Sequence, residues 1–209
     1  MWYFYILGFR TVIEENQRSL KERYYVVENL LLCYELFMID NDTKLIVLRG
    51  PSGSGKSSTA KALRKAQTEK IALIEQDHFR RIVLEENDII NGLNRELIQQ
   101  TALFALEHSY HVILEGIFNA TRYHQMFEEI LAKHPTNNYF FYFDISFEET
   151  LRRHQFKPNK NEFSEKEMRD WYKEKDLLTL VQETLIPETN SMEETVNTLI
   201  SMCSLTKKF

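Results

Sequence analysis

The stretch Lys44–Thr59, KLIVLRGPSGSGKSST, constrains this chain more than any other. An apolar run, Leu45-Ile46-Val47-Leu48, enters a loop with glycines at 50, 53 and 55. The loop opens into an Ala/Leu/Lys-rich segment with the composition of a helix. Gly50-Pro51-Ser52-Gly53-Ser54-Gly55-Lys56-Ser57 meets the G-x-x-x-x-G-K-[ST] pattern at every fixed position. Glycines let a backbone take positive φ and turn its N–H groups inward, which makes a nest for anions. A helix that starts there adds the positive end of its dipole and its free N–H donors. A Gly/Ser linker is the plain alternative, but linkers do not usually follow a β-rich run and open a helix directly. The stretch therefore predicts a nucleotide phosphate site made of Gly50, Pro51, Ser52, Gly53, Ser54, Gly55, Lys56, Ser57 and Ser58. Lys56 would reach the terminal phosphates and Ser57 would set a hydroxyl on Mg²⁺.

The rest of the chain alternates short apolar runs with helix-length segments. Strands are expected at Leu45–Leu48, Lys70–Ile74, His111–Leu114, Asn138–Ile145 and, more briefly, Thr184–Ile186. Asn138–Ile145 is too continuously apolar for a sheet with one wet face. Helices are expected at Ser57–Lys65, Asn94–His108, Thr121–His134, Phe147–Arg153, Ser164–Lys175 and Ser191–Cys203. The last two each open on a Ser-x-x-Glu capping box. Ile82–Gly92 gives no clear pattern, and Phe156–Phe163 is a polar break. Strands separated by helices imply crossovers and a parallel, doubly wound α/β sheet. Ligands in such sheets bind beyond the carboxyl ends of the strands.

The chemistry-bearing residues cluster at those ends. Asp77 follows the second strand, where a carboxylate can face a terminal phosphate and take a proton from an incoming hydroxyl. Capping of the next turn is its plainer role. Arg80, ahead of Arg81, is the candidate for holding an anionic acceptor or the transferring group. Glu115 ends the third strand and is the first candidate to serve Mg²⁺ through water or to grip a substrate hydroxyl; Asp144, at the end of the fourth, is its rival. Arg152, Arg153, Lys157 and Lys160 form a basic cluster of a kind that closes over phosphates, with Arg153 foremost for a catalytic role. A solvated helix end is the alternative for that cluster. The six histidines show no metal-ligand spacing, and Trp171 and Tyr172 carry the spacing of packing residues.

In order, Gly50–Ser57, Gln76-Asp77-His78-Phe79-Arg80, Ile113-Leu114-Glu115-Gly116 and Leu151-Arg152-Arg153 resemble the P-loop kinases. Within these, the chain is most similar to the group containing zeta toxins, chloramphenicol phosphotransferase and the kinase domain of polynucleotide kinases, over about residues 42–204. The resemblance implies a three-layer α/β/α sandwich, a mostly parallel five-stranded sheet of order 2-3-1-4-5, and a helical lid. It implies ATP with Mg²⁺ and transfer of the γ-phosphoryl group to a hydroxyl. By position, Asp77 matches the catalytic base, Arg80 a phosphate- or substrate-binding arginine, and Arg153 a lid arginine. Lys157 stands where many members carry a second lid arginine, and a lysine cannot make the bidentate contact.

A formal net charge of −5 argues against broad nucleic-acid binding, which needs a basic surface. Two cysteines in no redox or metal spacing fit reduced thiols and a cytoplasmic protein. Residues 1–40 differ in style from the rest. Met1–Phe9 and Asn29–Ile39 are apolar but too short to span a membrane. The segment reads as peripheral helices, a membrane-surface or partner-binding stretch, or a non-native extension, with a functional start expected near Met38. The function expected is an ATP-dependent kinase acting on a small hydroxyl-bearing molecule. The alternatives are a polynucleotide 5′-hydroxyl kinase, a zeta-like toxin with an antitoxin-like partner, and a regulatory nucleotide-binding module with little turnover.

Overall fold

The structure is a computed structural model, and it describes residues 42–90, 92–156 and 164–208. The expectations for residues 1–40, and those for Lys157 and Lys160, lie outside this set. The described residues belong to one compact unit, Ile39–Phe209.

Five strands form one sheet: β1 (Leu45–Arg49), β2 (Ile71–Glu75), β3 (His111–Glu115), β4 (Asn138–Asp144) and β5 (Thr184–Pro187). Their order is β2-β3-β1-β4-β5 and every pairing is parallel, as the sequence resemblance implies. Among the described residues six α-helices connect and close them: α1 (Lys56–Lys65), α2 (Leu93–Glu107), α3 (Ala120–Lys133), α4 (Phe147–His154), α5 (Glu165–Trp171) and α6 (Met192–Met202).

The alternation of side chains along each strand explains the continuous apolar runs. Leu45 and Val47, with Val112, Leu114 and Phe140, face a core that includes Ile98 and Leu106 of α2 and Phe127 and Ile130 of α3. Ile46 and Leu48, with Ile113, Phe141 and Phe143, face a second core that includes Leu63 of α1 and Leu199 of α6. Both faces are dry, so neither needs polar residues. Fully burying each such side chain contributes about 1.5–3 kcal/mol, which is why the central strands tolerate no interruption.

The pairings Leu48 with Glu115 and Glu75 with Glu115 bring the ends of β1, β2 and β3 level. Both capping boxes form, at Ser164 with Glu167 and at Ser191 with Glu194. Two stretches depart from the sequence reading. His78–Val83 is a π-helical turn closed by Leu84 N–H on Phe79 O at 3.0 Å. The following irregular segment is anchored by Glu86, whose carboxylate accepts from the N–H groups of Leu93 and Asn94 and so caps α2 from a distance. The helix expected over Ser164–Lys175 stops at Trp171, because the chain beyond it is held by partners elsewhere. Tyr172 Oη donates to Ile145 O, and Asp176 N–H donates to Tyr142 Oη.

Candidate active site

The glycine-rich loop has the conformation its sequence requires. Gly50, Gly53 and Gly55 all take positive φ, at 137°, 85° and 101°. At Gly53 a side chain would also collide: a Cβ there would lie 2.9 Å from the backbone oxygen of Thr150. The loop is thus clasped between the start of α1 and α4. Lys56 is buried and folds back over it, with Nζ donating to Pro51 O at 2.8 Å and to Ser54 Oγ at 3.2 Å. No acidic residue occupies the first turn of α1, so nothing of the helix's own offsets its positive end.

Glu115, buried at the end of β3, lies beside this loop. Burial pushes its pKa above the usual carboxylate range. The Lys56 charge and the Ser57 hydroxyl work against that shift, and Asp77 and Glu75 add to it. Its rival, Asp144, instead faces Lys175 at 4.0 Å. A raised folded-state pKa means that ionised Glu115 opposes folding. The penalty is absent below the ordinary carboxylate pKa and grows as pH rises through the folded value. Glu115→Gln should therefore raise the melting temperature of the nucleotide-free protein at neutral pH, by about 2–4 °C per kcal/mol relieved. The gain should vanish in melts run near pH 4; an unchanged or lower Tm at neutral pH would contradict it.

Asp77 sits just beyond β2 and is largely exposed. The π-helical turn swings two guanidiniums onto the same oxygen: Arg80 Nη2 at 2.9 Å and Arg81 Nε at 3.4 Å. These residues, with Ser52 of the loop, open on a cavity of about 360 Å³. Its far walls come from the residues after β3 and from the end of α5. Arg122 of α3 contributes a guanidinium held on Asp88 at 2.7 Å. Asp88 is fixed in turn by the Tyr123 hydroxyl at 2.9 Å, which also accepts from Gln76 Nε2 at 2.6 Å. Burial and the Asp88 charge keep that phenol protonated, raising its pKa.

A second cavity, of about 670 Å³, also borders the loop. Gly53, Ser54, Gly55 and Ser58 border it, with Arg152 and Arg153 of α4 and the chain from β5 into α6. Arg153 is brought to the loop itself: Nη1 donates to Ser54 O at 2.8 Å and Nη2 to Glu188 O at 3.1 Å, while Nε donates to Glu149 at 2.7 Å. The two guanidiniums of α4 hold the Glu149 carboxyl down to about 2. Arg152 stays at the surface, on Glu149.

The fold thus gathers Lys56, Ser57, Glu115, Asp77, Arg80 and Arg153 around one loop. Sequence reasoning missed others. Arg122 was hidden in the amphipathic pattern of α3, and Asp88 in a segment without periodicity. Trp171, expected to pack, is 37% exposed and lines the smaller cavity, whereas its neighbour Tyr172 does pack, edge-on to Phe147. Arg49, at the end of β1, is fully buried with Glu183. Among the described residues no group of three or more His, Cys, Asp or Glu side chains could hold a metal. No helix there is long and apolar enough to cross a membrane. The oxygen donors present, Ser57 and Glu115, suit Mg²⁺, which keeps most of its waters and takes few protein ligands beside phosphates.

The sequence profile described as the AAA domain matches residues 45–181. Among solved structures, the chain is similar to the Deinococcus radiodurans tunicamycin resistance protein, with TM-score 0.57, 13% identity, and coverage of 80% of this chain and 99% of that one. It is similar to the Mycobacterium tuberculosis APS kinase CysC in complex with AMPPNP and APS, with TM-score 0.56, 15% identity, and coverage of 78% and 98%. It is also similar to a gluconokinase from Sinorhizobium meliloti 1021, with TM-score 0.56, 17% identity, and coverage of 77% and 91%. At these identities the likeness is one of fold. No curated protein matches the sequence.

Proposed function

The chain belongs to the AAA domain family, and on that premise we propose that it is an ATP-dependent phosphotransferase that moves the γ-phosphoryl group to a hydroxyl of a small molecule. One observation carries the reading: the phosphate loop borders two cavities, one at Ser52 and the other at Gly53–Gly55. A nucleotide that only switches or hydrolyses needs one pocket; a transferase needs a donor side and an acceptor side that meet at the transferring group. The larger cavity, bordered by Gly53–Gly55 and Arg153, has the room and position for the rest of the nucleotide. The smaller one, with Asp77 at its mouth, is the acceptor side. That kinases occur among proteins of similar fold supports the same reading.

In this mechanism the loop N–H groups and Lys56 bind the phosphates, and Ser57 and Glu115 would hold the Mg²⁺. When bound, that ion supplies charge neutralisation at the phosphate oxygens. Asp77 accepts the proton of the acceptor hydroxyl as its oxygen bonds to the γ-phosphorus, and the bond from that phosphorus to the bridging oxygen of ADP breaks. Arg153, fixed by Glu149 against the loop backbone, steadies the charge on the equatorial oxygens. The finer likeness to zeta toxins, chloramphenicol phosphotransferase and polynucleotide kinases rests on Gly50–Ser57, Gln76–Arg80, Ile113–Gly116 and Leu151–Arg153 taken in order.

The reading is tested by incubating the protein with γ-labelled ATP and a panel of hydroxyl compounds, scoring label transfer above hydrolysis. Hydrolysis without transfer to any class of acceptor would favour a switch. Lys56→Ala should lower turnover by about 10²–10³-fold, the usual cost of one lost electrostatic contact to developing charge. Unchanged turnover in that variant would remove Lys56 from the site.

A further inference from the structure

Asp88 and Arg122, on the wall of the smaller cavity, hang from a buried polar network. Gln76 is buried directly before Asp77. Its Oε1 accepts from Phe118 N–H at 3.1 Å and its Nε2 donates to Tyr123 Oη at 2.6 Å. The Tyr123 hydroxyl has one proton and two acceptors in reach, Asp88 Oδ1 at 2.9 Å and the buried Asn94 Oδ1 at 2.8 Å. Asn94 is held in turn by Glu86, which accepts from its backbone and side-chain N–H groups. The network thus fixes Asp88 without saturating it. Oδ1 shares the phenol proton with Asn94, and Oδ2 accepts from Arg122 Nη1 at 2.7 Å. A carboxylate oxygen can accept a second hydrogen bond, and neither oxygen of Asp88 has one among the described residues. Arg122 uses Nη1 on Asp88 and sets neither Nε nor Nη2 on a partner among those residues. The two side chains are 23% and 39% exposed, and both line the cavity.

The pair therefore offers a carboxylate with room to accept beside a guanidinium with N–H groups left to donate. An anion set on Arg122 would meet the Asp88 carboxylate at close range, and a cation set on Asp88 would meet the guanidinium. Neutral hydroxyls meet neither conflict, because each both donates and accepts. Two hydroxyls on adjacent carbons match the pair: one donates to Asp88 and the other accepts from Arg122. We infer that Asp88 and Arg122 read a vicinal diol, and that the acceptor is a neutral polyhydroxylated molecule carrying that diol beside its reacting hydroxyl. The inference rests on the phosphotransferase reading and narrows its substrate class. A volume of about 360 Å³ falls in the range of pockets that enclose a small molecule. Asp77 lines the same cavity, so a molecule held at Asp88 sets a further hydroxyl in the space that Asp77 serves. Gln76, next to Asp77 in the chain and bonded through Tyr123 toward Asp88, makes the base and the diol reader parts of one frame.

The test uses the full chain and measures label transfer from γ-labelled ATP to matched compounds that differ by one hydroxyl of the diol: ribose and 2-deoxyribose, uridine and 2′-deoxyuridine, glycerol and 1,3-propanediol. The diol member is expected to lead by about 10–100-fold in kcat/KM, the usual share of a hydrogen bond to a charged group. Asp88→Asn and Arg122→Met should each bring that ratio toward parity, chiefly by raising KM for the diol member, with transfer to its partner retained. A role confined to holding the fold would lower both members together and leave the ratio in place. An unchanged Kd for AMPPNP shows that a variant is folded with its phosphate loop intact; should one variant lose AMPPNP, the other variant and the parent's own ratio decide. Equal transfer to both members by the parent, or a preference that survives in the variants, overturns the inference alone and leaves the phosphotransferase reading standing. Hydrolysis without transfer to any member removes both.

Discussion

Asp77→Asn is expected to lower phosphoryl transfer by about 10²–10⁴-fold, the usual share of a general base, with nucleotide affinity preserved. The side chain keeps its shape and still offers Arg80 an amide oxygen, so the pocket should persist. Asp77 is 64% exposed in its ion pairs with Arg80 and Arg81, and exposed pairs of this kind are worth about 0–1 kcal/mol, so stability should barely move. What the variant loses is the capacity to accept a proton. Single-turnover transfer from γ-labelled ATP, alongside an AMPPNP titration, separates the two effects. A large fall in rate with an unchanged Kd fits the base assignment. A normal rate would move the base elsewhere, and a weakened Kd would assign Asp77 to nucleotide binding instead.

How much of this was legible beforehand depends on the distance over which each feature is determined. The phosphate loop was readable because its determinants are local: three glycines, a lysine and a serine within eight residues, flanked by a strand and a helix. The sheet was readable because two dry faces force continuous apolar runs, and Phe140–Phe143 could hardly lie anywhere but the centre. Both capping boxes were readable for the same reason, with serine and glutamate three residues apart. The smaller cavity was not. Its walls come from the π-helical turn after β2, the irregular stretch around Asp88, one face of α3 and the end of α5. Each segment looks unremarkable alone. Arg122 occupies what reads as the wet face of a helix, and nothing local says that Asp88, thirty-four residues earlier, will meet it. Trp171 misled for a related reason: spacing on a helix tells which residues share a face, not whether protein or a cavity lies opposite. The early end of α5 was hidden too, because it answers to Tyr142 and Arg49 rather than to its own sequence.

Arg49→Met is expected to destabilise the protein by about 3–5 kcal/mol, the cost of breaking a buried ion pair from one side. At about 2–4 °C per kcal/mol for a chain of this size, Tm should fall by roughly 10 °C. Every N–H of this guanidinium is used. Nη1 donates to both oxygens of Glu183 at 2.8 and 2.6 Å, Nε and Nη2 to Phe118 O at 3.0 and 2.7 Å, and Nη2 also to Asp176 O at 2.9 Å. Methionine would leave Glu183, itself 1% exposed, as an uncompensated buried charge. Replacing both partners, as Arg49→Met with Glu183→Leu, removes the stranded charge and should recover much of the loss. Activity should not follow. Arg49 stands immediately before Gly50, and it ties the chain after β3 to the chain after α5 through Phe118 and Asp176. Asp176 also accepts from Ala120 N–H and Asn119 Nδ2 at the start of α3. Those two segments supply Ile117, Asn119 and Lys173 to the smaller cavity. The apolar pair can refill the volume but cannot reproduce five directed hydrogen bonds, so the double variant should melt near the parent and still show a raised KM for the acceptor. Recovery of both Tm and acceptor KM would mean that the network only holds the fold. Recovery of Tm alone would make the buried arginine the element that aligns the acceptor side with the loop.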